Sequence, residues 1–370
     1  MLKIGILSSS RADFGIYEPL VKAMIANVQI EPEVIAFGTH LSPKYGNSID
    51  SVVKTGVKIA ARFNTVPSGD TPEDIVKSMA TTMNSLAPFW SKANYDLVLA
   101  LGDRYEMFAA VASTLPFNIR IGHIHGGETT LGAIDNALRH SITHMASLHF
   151  ASAEAYRLRI IELLGNDKGV YCTGALSVDS LASANFMSTK ELNERFGIDF
   201  SLPTMLITLH PETIGYERTE SNIAEVLKAL KHYGRLQKVI TMPNADTSGL
   251  KIRKMLEQYS TEDSQVFLIE NFGSAAYLSA MKYCTLMLGN TSSGFIEAAW
   301  FPKWVVNIGN RQNGRLRTPN IIDAPFEAEK ISAAIEKTLT TRVPDVKPVY
   351  GDGNASKKII KYILDEHGIN

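Results

Sequence analysis

The chain has 370 residues, more than a single core of ordinary size holds, so two domains are expected. It is 45% hydrophobic and 20% charged, the balance of a globular protein with ample core material. A formal net charge of -1 excludes the broad basic field of a protein that binds nucleic acid or anionic membrane, so any phosphate site must be assembled locally.

The N-terminus, MLKIGILSSSRADFG, is a short apolar run followed by polar residues, which reads as a first strand and its loop rather than a secretion signal. Residues 3–8 form that strand and residues 17–26 a helix, with a second strand at 33–37. A Thr-Pro start opens a helix over 71–91, and DLVLAL at 96–101 is a strand that ends at Gly102-Asp103. A helix over 105–114, a strand at 119–123, a helix over 134–146, a strand at 148–151 and a helix over 153–164 complete the first series. The alternation predicts parallel βαβ units.

A polar stretch at 188–203 ending in proline marks the linker. Beyond it, strands are expected at 204–209, 237–242, 265–270, 285–288 and 304–308, with helices over 221–233 and 293–300 and a last one over 355–367. The domains are set at 1–186 and 187–352, with the C-terminal helix in 353–370 packing back on the first domain. No stretch approaches about 18 uninterrupted apolar residues, so no membrane helix is expected. Cys172 and Cys284 lie in strand-like runs and are expected as thiols in a reducing cytoplasm.

Open parallel sheets bind ligands outside the carboxyl ends of their strands. The polar clusters fall at such ends: Ser8–Gly15, Gly102–Glu106, His123–Glu128, His210–Thr213, Pro243–Asp246, Gly289–Ser293 and Gly309–Arg315. GNTSSG at 289–294 follows a strand and opens a helix, where small residues and free N–H groups can cradle phosphate or simply cap the helix. Glu297, in the first turn or so, is a helix-dipole partner or a ribose-hydroxyl acceptor. Arg11 and Arg311 are candidates to clamp a diphosphate, against the plainer reading of exposed loop arginines.

His123 and His125, two apart in a strand, would share a face, but no further ligands at metal spacing stand near them, so no metal is expected. His140 and His144 lie four apart on a helix without the glutamate of a zinc motif and are read as structural. Asp103, Glu128 and Asp135 could supply acid–base chemistry on a neutral sugar ring, although strand-end and helix-start acids often only cap. His210 could donate to phosphate or exchange a proton with a leaving group.

Together these motifs are similar to those of the UDP-N-acetylglucosamine 2-epimerase family. The segments SRADFGIYEPL, FGTHLS, LGDRYE, HIHGGE, IDNALRHSITHM, HPET, PNADTSG, GNTSSGFIEA and NIGNRQNGR occur in the family's order along nearly the whole chain. HIHGGE followed by IDNALRH resembles the hydrolysing branch, whereas the non-hydrolysing branch carries HVEAGLRT, so His125 stands where that branch has glutamate.

The resemblance implies an α/β fold of two Rossmann-like domains in a glycosyltransferase-B-like arrangement with an interdomain cleft. It implies Arg11 and His210 on the UDP phosphates, and Asn244, Phe272, Ser292, Ser293, Glu297 and Arg311 around UDP, with Phe272 against uracil. Asp103, His125, Glu128 and Asp135 would surround the sugar, with Arg104 and Arg139 orienting carboxylates. Gly15 stands where relatives carry serine, so no contact is carried over there.

The implied reaction takes UDP-N-acetylglucosamine and water to N-acetylmannosamine and UDP through a 2-acetamidoglucal, on a sialic-acid-type route. No metal or nicotinamide is required, and the first loop lacks the GxGxxG fingerprint. The alternative substrate is UDP-2,4-diacetamido-2,4,6-trideoxy-glucose. Further alternatives are a non-hydrolysing epimerase, a glycosyltransferase of the same fold, and a nucleotide-sugar sensor. A cytoplasmic homodimer or homotetramer, with no nucleic-acid or membrane partner, is expected.

Overall fold

The computed structural model describes residues 1–43, 48–131, 133–212, 216–243, 248–301 and 303–369. The chain divides into two compact units. Unit 1 holds Met1–Glu128, Ile134–Ala182 and Tyr350–Asn370; unit 2 holds Thr129–Ala133 and Ser183–Val349.

In unit 1 the strands are β1 (Leu2–Ser8), β2 (Ile30–Ala36), β3 (Lys58–Arg62), β4 (Leu97–Leu101), β5 (Ile121–Ile124), β6 (Leu148–Ala151) and β7 (Val170–Cys172). Its helices are α1 (Arg11–Ile25), α2 (Ile49–Lys54), α3 (Pro72–Trp90), α4 (Tyr105–Ala112), α5 (Asp135–Met145), α6 (Glu154–Leu164) and α7 (Leu176–Ala182), together with the last helix of the chain, given below. Among the described residues the sheet runs β3-β2-β1-β4-β5-β6-β7, with every pairing parallel.

Unit 2 contains α8 (Thr189–Phe196), β8 (Thr204–Thr208), α9 (Thr219–Leu230), β9 (Gln237–Thr241), α10 (Gly249–Glu262), β10 (Val266–Ile269) and α11 (Ser274–Tyr283). It continues with β11 (Leu286–Gly289), α12 (Ser293–Ile296), β12 (Trp304–Ile308), β13 (Ile321–Ala324) and α13 (Ala328–Thr340), and α14 (Ala355–Glu366) then returns to unit 1. Its parallel sheet runs β10-β9-β8-β11-β12-β13. Each unit is thus a doubly wound, Rossmann-like sheet whose strand order reverses beside its first strand.

The central strands are apolar along their whole length because helices cover both sheet faces. Ile4, Ile6, Leu97 and Leu99 pack with Tyr17, Leu20 and Met24 of α1 on one face. Leu7, Val98 and Ala100 pack with Leu86, Trp90, Met107 and Val111 of α3 and α4 on the other. Full burial of each such side chain stabilises the fold by about 1.5–3 kcal/mol. Unit 2 has a corresponding cluster built from Met205, Ile207, Ile240, Leu286 and Leu288 with helix residues such as Val226, Leu256 and Ile331.

Several boundaries differ from the sequence reading. Helix α1 begins at Arg11, not near residue 17, because Ser10 caps it by accepting from the Asp13 amide. Pro19 lies inside this helix. The helix expected over 293–300 is a single α-turn, Ser293–Ile296, followed by a 3-10 turn at Ala298–Trp300. Strands β3 and β13 are not expected from the sequence, since neither carries a long apolar run, and β7 is marked only by the strand-like run at Cys172. Both cysteines are free thiols. Among the described residues no helix is long and apolar enough to cross a membrane.

Candidate active site

The carboxyl end of the unit 1 sheet carries a connected polar network. Asp103, just past β4, pairs with the buried guanidinium of Arg139 on α5. Arg139 also approaches Glu128, with Nη1 3.8 Å from Oε2. The other carboxylate oxygen of Glu128, Oε1, accepts from the Ser152 hydroxyl at 2.6 Å and lies 3.1 Å from His125 Nδ1. All four of Glu128, His125, Arg139 and Ser152 are buried. Charges this far from water need such pairing, since an isolated buried ion is strongly disfavoured.

The backbone that presents these groups is itself fixed. Strand β5 ends at Ile124, and His125 turns into the left-handed region at φ 64°. His123 and His125 therefore do not share a strand face, as simple alternation had suggested. His123 points inward instead: its Nε2 donates to the Gly102 carbonyl at 2.8 Å, and Nδ1 lies 3.1 Å from the Thr143 hydroxyl. A carbonyl only accepts, so the proton sits on Nε2. Burial pushes the His123 pKa down to about 3, so the ring is neutral and tethers the residue next to Asp103. Gly127, at φ 74°, passes so close to Tyr156 that a Cβ would meet its carbonyl oxygen at 2.5 Å.

Nearby, Ser9 donates to the Asp13 carboxylate through both N–H (3.0 Å) and hydroxyl (2.5 Å), shaping the loop that leads into Arg11. His40 spans Ser8 Oγ at 2.8 Å and Ser48 Oγ at 2.9 Å, and burial lowers its pKa to about 4. Arg104 is bound to the buried Glu106, with Nη2 2.9 Å from Oε1. Asp135 is half-buried at the first position of α5, where an acid also suits the helix dipole.

In unit 2 the hub is Asn290. Its side chain clamps the His210 backbone from both sides, accepting from His210 N–H at 2.8 Å and donating to the carbonyl at 2.9 Å. Its own carbonyl accepts from Arg311 Nη1 (3.2 Å) and Gln312 Nε2 (2.8 Å). Glu212 Oε1 accepts from the amides of Asn310 (2.5 Å) and Arg311 (2.9 Å), fixing the following loop. Gly289 permits this arrangement: at φ 132°, a Cβ there would sit 1.9 Å from the Thr208 carbonyl oxygen. His210, Arg311 and the 290–293 turn thus converge at the ends of β8, β11 and β12.

Ser292 precedes α12 without a side-chain capping bond, while Thr291 Oγ1 accepts from the Ser293 N–H at 3.4 Å, so the capping is done by the threonine. Glu297 is buried and sits at the C-cap of α12, which removes the reading of it as a first-turn dipole partner. Phe272 is buried in the loop after β10, with Phe196 against it edge-on at 4.8 Å between ring centroids. Asn244 lies outside the described residues. Among the described residues no three His, Cys, Asp or Glu side chains gather as a metal-binding group.

A family model for UDP-N-acetylglucosamine 2-epimerase matches residues 22–364. The chain belongs to this family. Its HIHGGE and IDNALRH motifs set it on the hydrolysing branch, among enzymes of nucleotide-sugar metabolism. A Campylobacter jejuni relative, "GDP/UDP-N,N'-diacetylbacillosamine 2-epimerase (hydrolyzing)", is 36% identical over 90% of this chain and 87% of its own. The Escherichia coli polysialic acid biosynthesis protein P7 is 32% identical over 99% of this chain and 94% of its own. In fold, the chain is similar to the Neisseria meningitidis UDP-GlcNAc 2-epimerase crystallised with UDP-GlcNAc, with a TM-score of 0.82 at 19% identity, covering 98% of this chain and 100% of that one.

In this epimerase the sequence names Asp103, His125, Glu128, Arg139, His210 and Arg311 as candidates, but not the groups that hold them. Glu106, Asn290 and Gln312 lie inside strand-end clusters of the sequence, but nothing there marks them as supports. Ser152 and His40 stand in no recognisable spacing to their partners.

Proposed function

We propose that this enzyme is a hydrolysing 2-epimerase of UDP-2,4-diacetamido-2,4,6-trideoxy-glucose, the UDP-N,N'-diacetylbacillosamine type of sugar. The observation that carries the reading is the 36% identity, over 90% of the chain, to the hydrolysing C. jejuni relative named for N,N'-diacetylbacillosamine on GDP or UDP. The UDP form is favoured by the 28% identity, over 96% of the chain, to the Legionella pneumophila "UDP-N,N'-diacetylbacillosamine 2-epimerase (hydrolyzing)". This replaces UDP-N-acetylglucosamine as the first choice of substrate. That sugar remains the second reading, supported by the 26% identity, over 92% of the chain, to the "UDP-N-acetylglucosamine 2-epimerase" of Neisseria meningitidis.

The reaction suits the residue types. A base removes the C2 proton while the C1–O bond breaks, so the C–H pair becomes the C1–C2 double bond and UDP leaves with the C–O pair. Water then adds at C1 and a proton returns to C2 on the opposite face. The leaving UDP gathers charge on its β-phosphate, which Arg11, His210, Arg311 and the 290–293 turn would stabilise by preorganised donors. Phe272 and Glu297 would hold uracil and ribose. Asp103, His125 and Asp135 would serve the sugar as acid–base groups, with Glu128 held behind His125.

Both UDP-sugars should be incubated in parallel in deuterated water and followed by proton NMR. UDP and a free 2-epimer with deuterium at C2 are expected, with kcat/KM at least about tenfold higher for the diacetamido sugar. Equal or better turnover of UDP-N-acetylglucosamine would hand the assignment to the second reading. Products that retain UDP would move the protein off hydrolysis altogether.

A further inference from the structure

We infer that His125 Nε2 is the atom that exchanges a proton with the substrate, and that Glu128 and Ser152 are positioning residues that orient this imidazole. The inference deepens the proposed reaction and rests on it.

Four features of the structure converge on this ring. First, His125 is held at φ 64°, a left-handed conformation that strains a non-glycine residue. Second, its Nε2 is buried and, among the described residues, has no hydrogen-bond partner. A buried polar nitrogen left unpaired is a desolvation penalty that serves stability nowhere. A strained backbone carrying an unpaired polar atom is what a site awaiting a reactant shows.

Third, the tautomer is set. Glu128 Oε1 lies 3.1 Å from Nδ1, and a carboxylate can only accept, so Nδ1 carries the hydrogen and Nε2 carries the lone pair. The ring therefore presents a base to whatever meets Nε2, with a carboxylate behind it to stabilise the imidazolium that forms. Fourth, Glu128 is poorly placed to be that base itself. Its Oε1 is occupied by Ser152 at 2.6 Å and by the His125 ring, and its Oε2 faces the Arg139 guanidinium at 3.8 Å. Donors and a positive charge on both oxygens weaken a carboxylate as a proton acceptor.

The step balances as follows. Nε2 takes the C2 proton, the C2–H electron pair becomes the π bond to C1, and the C1–O pair departs on the β-phosphate oxygen of UDP. The imidazolium so formed is paired with Glu128. Ser152 keeps Glu128 from swinging away from the ring.

The test is chemical rescue. His125→Gly accepts the left-handed turn without strain and leaves a ring-sized space, so the variant should fold and bind UDP with a Kd within about threefold of wild type. Its kcat on the UDP-sugar should fall by about 100-fold or more, and added imidazole should restore about tenfold or more, with deuterium still delivered to C2. Ser152→Ala should lower kcat with little change in KM and gain nothing from imidazole. Turnover of His125→Gly close to wild type, or a loss that imidazole does not relieve while UDP still binds, overturns the assignment. Wild-type protein inactive on both UDP-sugars in the same assay would instead defeat the proposed function.

Discussion

His210 depends on Asn290 for its place, since two hydrogen bonds from one side chain grip its backbone N–H and carbonyl. The same asparagine, through its carbonyl, receives Arg311 and Gln312, and Gln312 in turn receives Arg315 Nε at 2.5 Å. Replacing Asn290 with alanine removes the clamp from the half-buried His210 backbone. UDP affinity should fall by about tenfold or more, since each lost bond is worth about 1 kcal/mol or more. Calorimetric titration with UDP measures it, and an unchanged Kd in a folded variant would show that His210 needs no such anchor. The sequence exposes the reactive ends of these networks but not their supports. His210, Arg311, Asp103 and Glu128 have side chains whose chemistry marks them at a strand end. Asn290, Ser152 and Gln312 are ordinary polar residues until their partners, up to 80 residues away, are known.

Helices that advertise both their cap and their apolar stripe were the most legible elements. Thr71 and Asp74 form a reciprocal capping box at the start of α3, with Asp74 N–H donating to Thr71 Oγ1 at 3.2 Å and Thr71 N–H returning the bond at 3.2 Å. Thr71→Ala should cost about 1 kcal/mol and lower Tm by a few degrees with no change in turnover, because α3 carries none of the proposed site residues. Thermal unfolding paired with an activity assay checks both halves; a drop in turnover at equal foldedness would tie α3 to the site. Where caps come from elsewhere in the chain, sequence reading has less to hold. Asn354 gives α14 no side-chain capping bond, and Asp179 of α7 accepts from the Ala355 and Ser356 amides instead, at 2.8 and 2.6 Å. Helix α1 starts six residues before the expected residue 17, because the Ser10 hydroxyl accepts from the Asp13 amide and fixes its first turn.

At the scale of the whole molecule, the two units share a winding order but bury different ionisable groups. Unit 1 encloses His40, His123 and His149, and burial lowers their pKa values to about 4, 3 and 4. An unfolded histidine titrates near about 6.5, so between that value and the folded ones the unfolded chain binds more protons. The stability these neutral rings support is therefore complete above about pH 6.5 and drains away as the pH falls toward about 4, each ring taking up about one proton on opening. His123 and His149 are opposite each other on β5 and β6, and His40 bridges the loops after β1 and β2, so their protonation strikes the sheet that carries the Asp103–Glu128 network. Hydrogen exchange at about pH 5 and pH 7 should show β1, β5 and β6 losing protection in acid before β8, β11 and β12 do. If unit 2 opens first, acid sensitivity is set by groups other than the three histidines. If unit 1 opens first, epimerase activity should fall over the same pH range while the Asn290-centred strands of unit 2 remain protected.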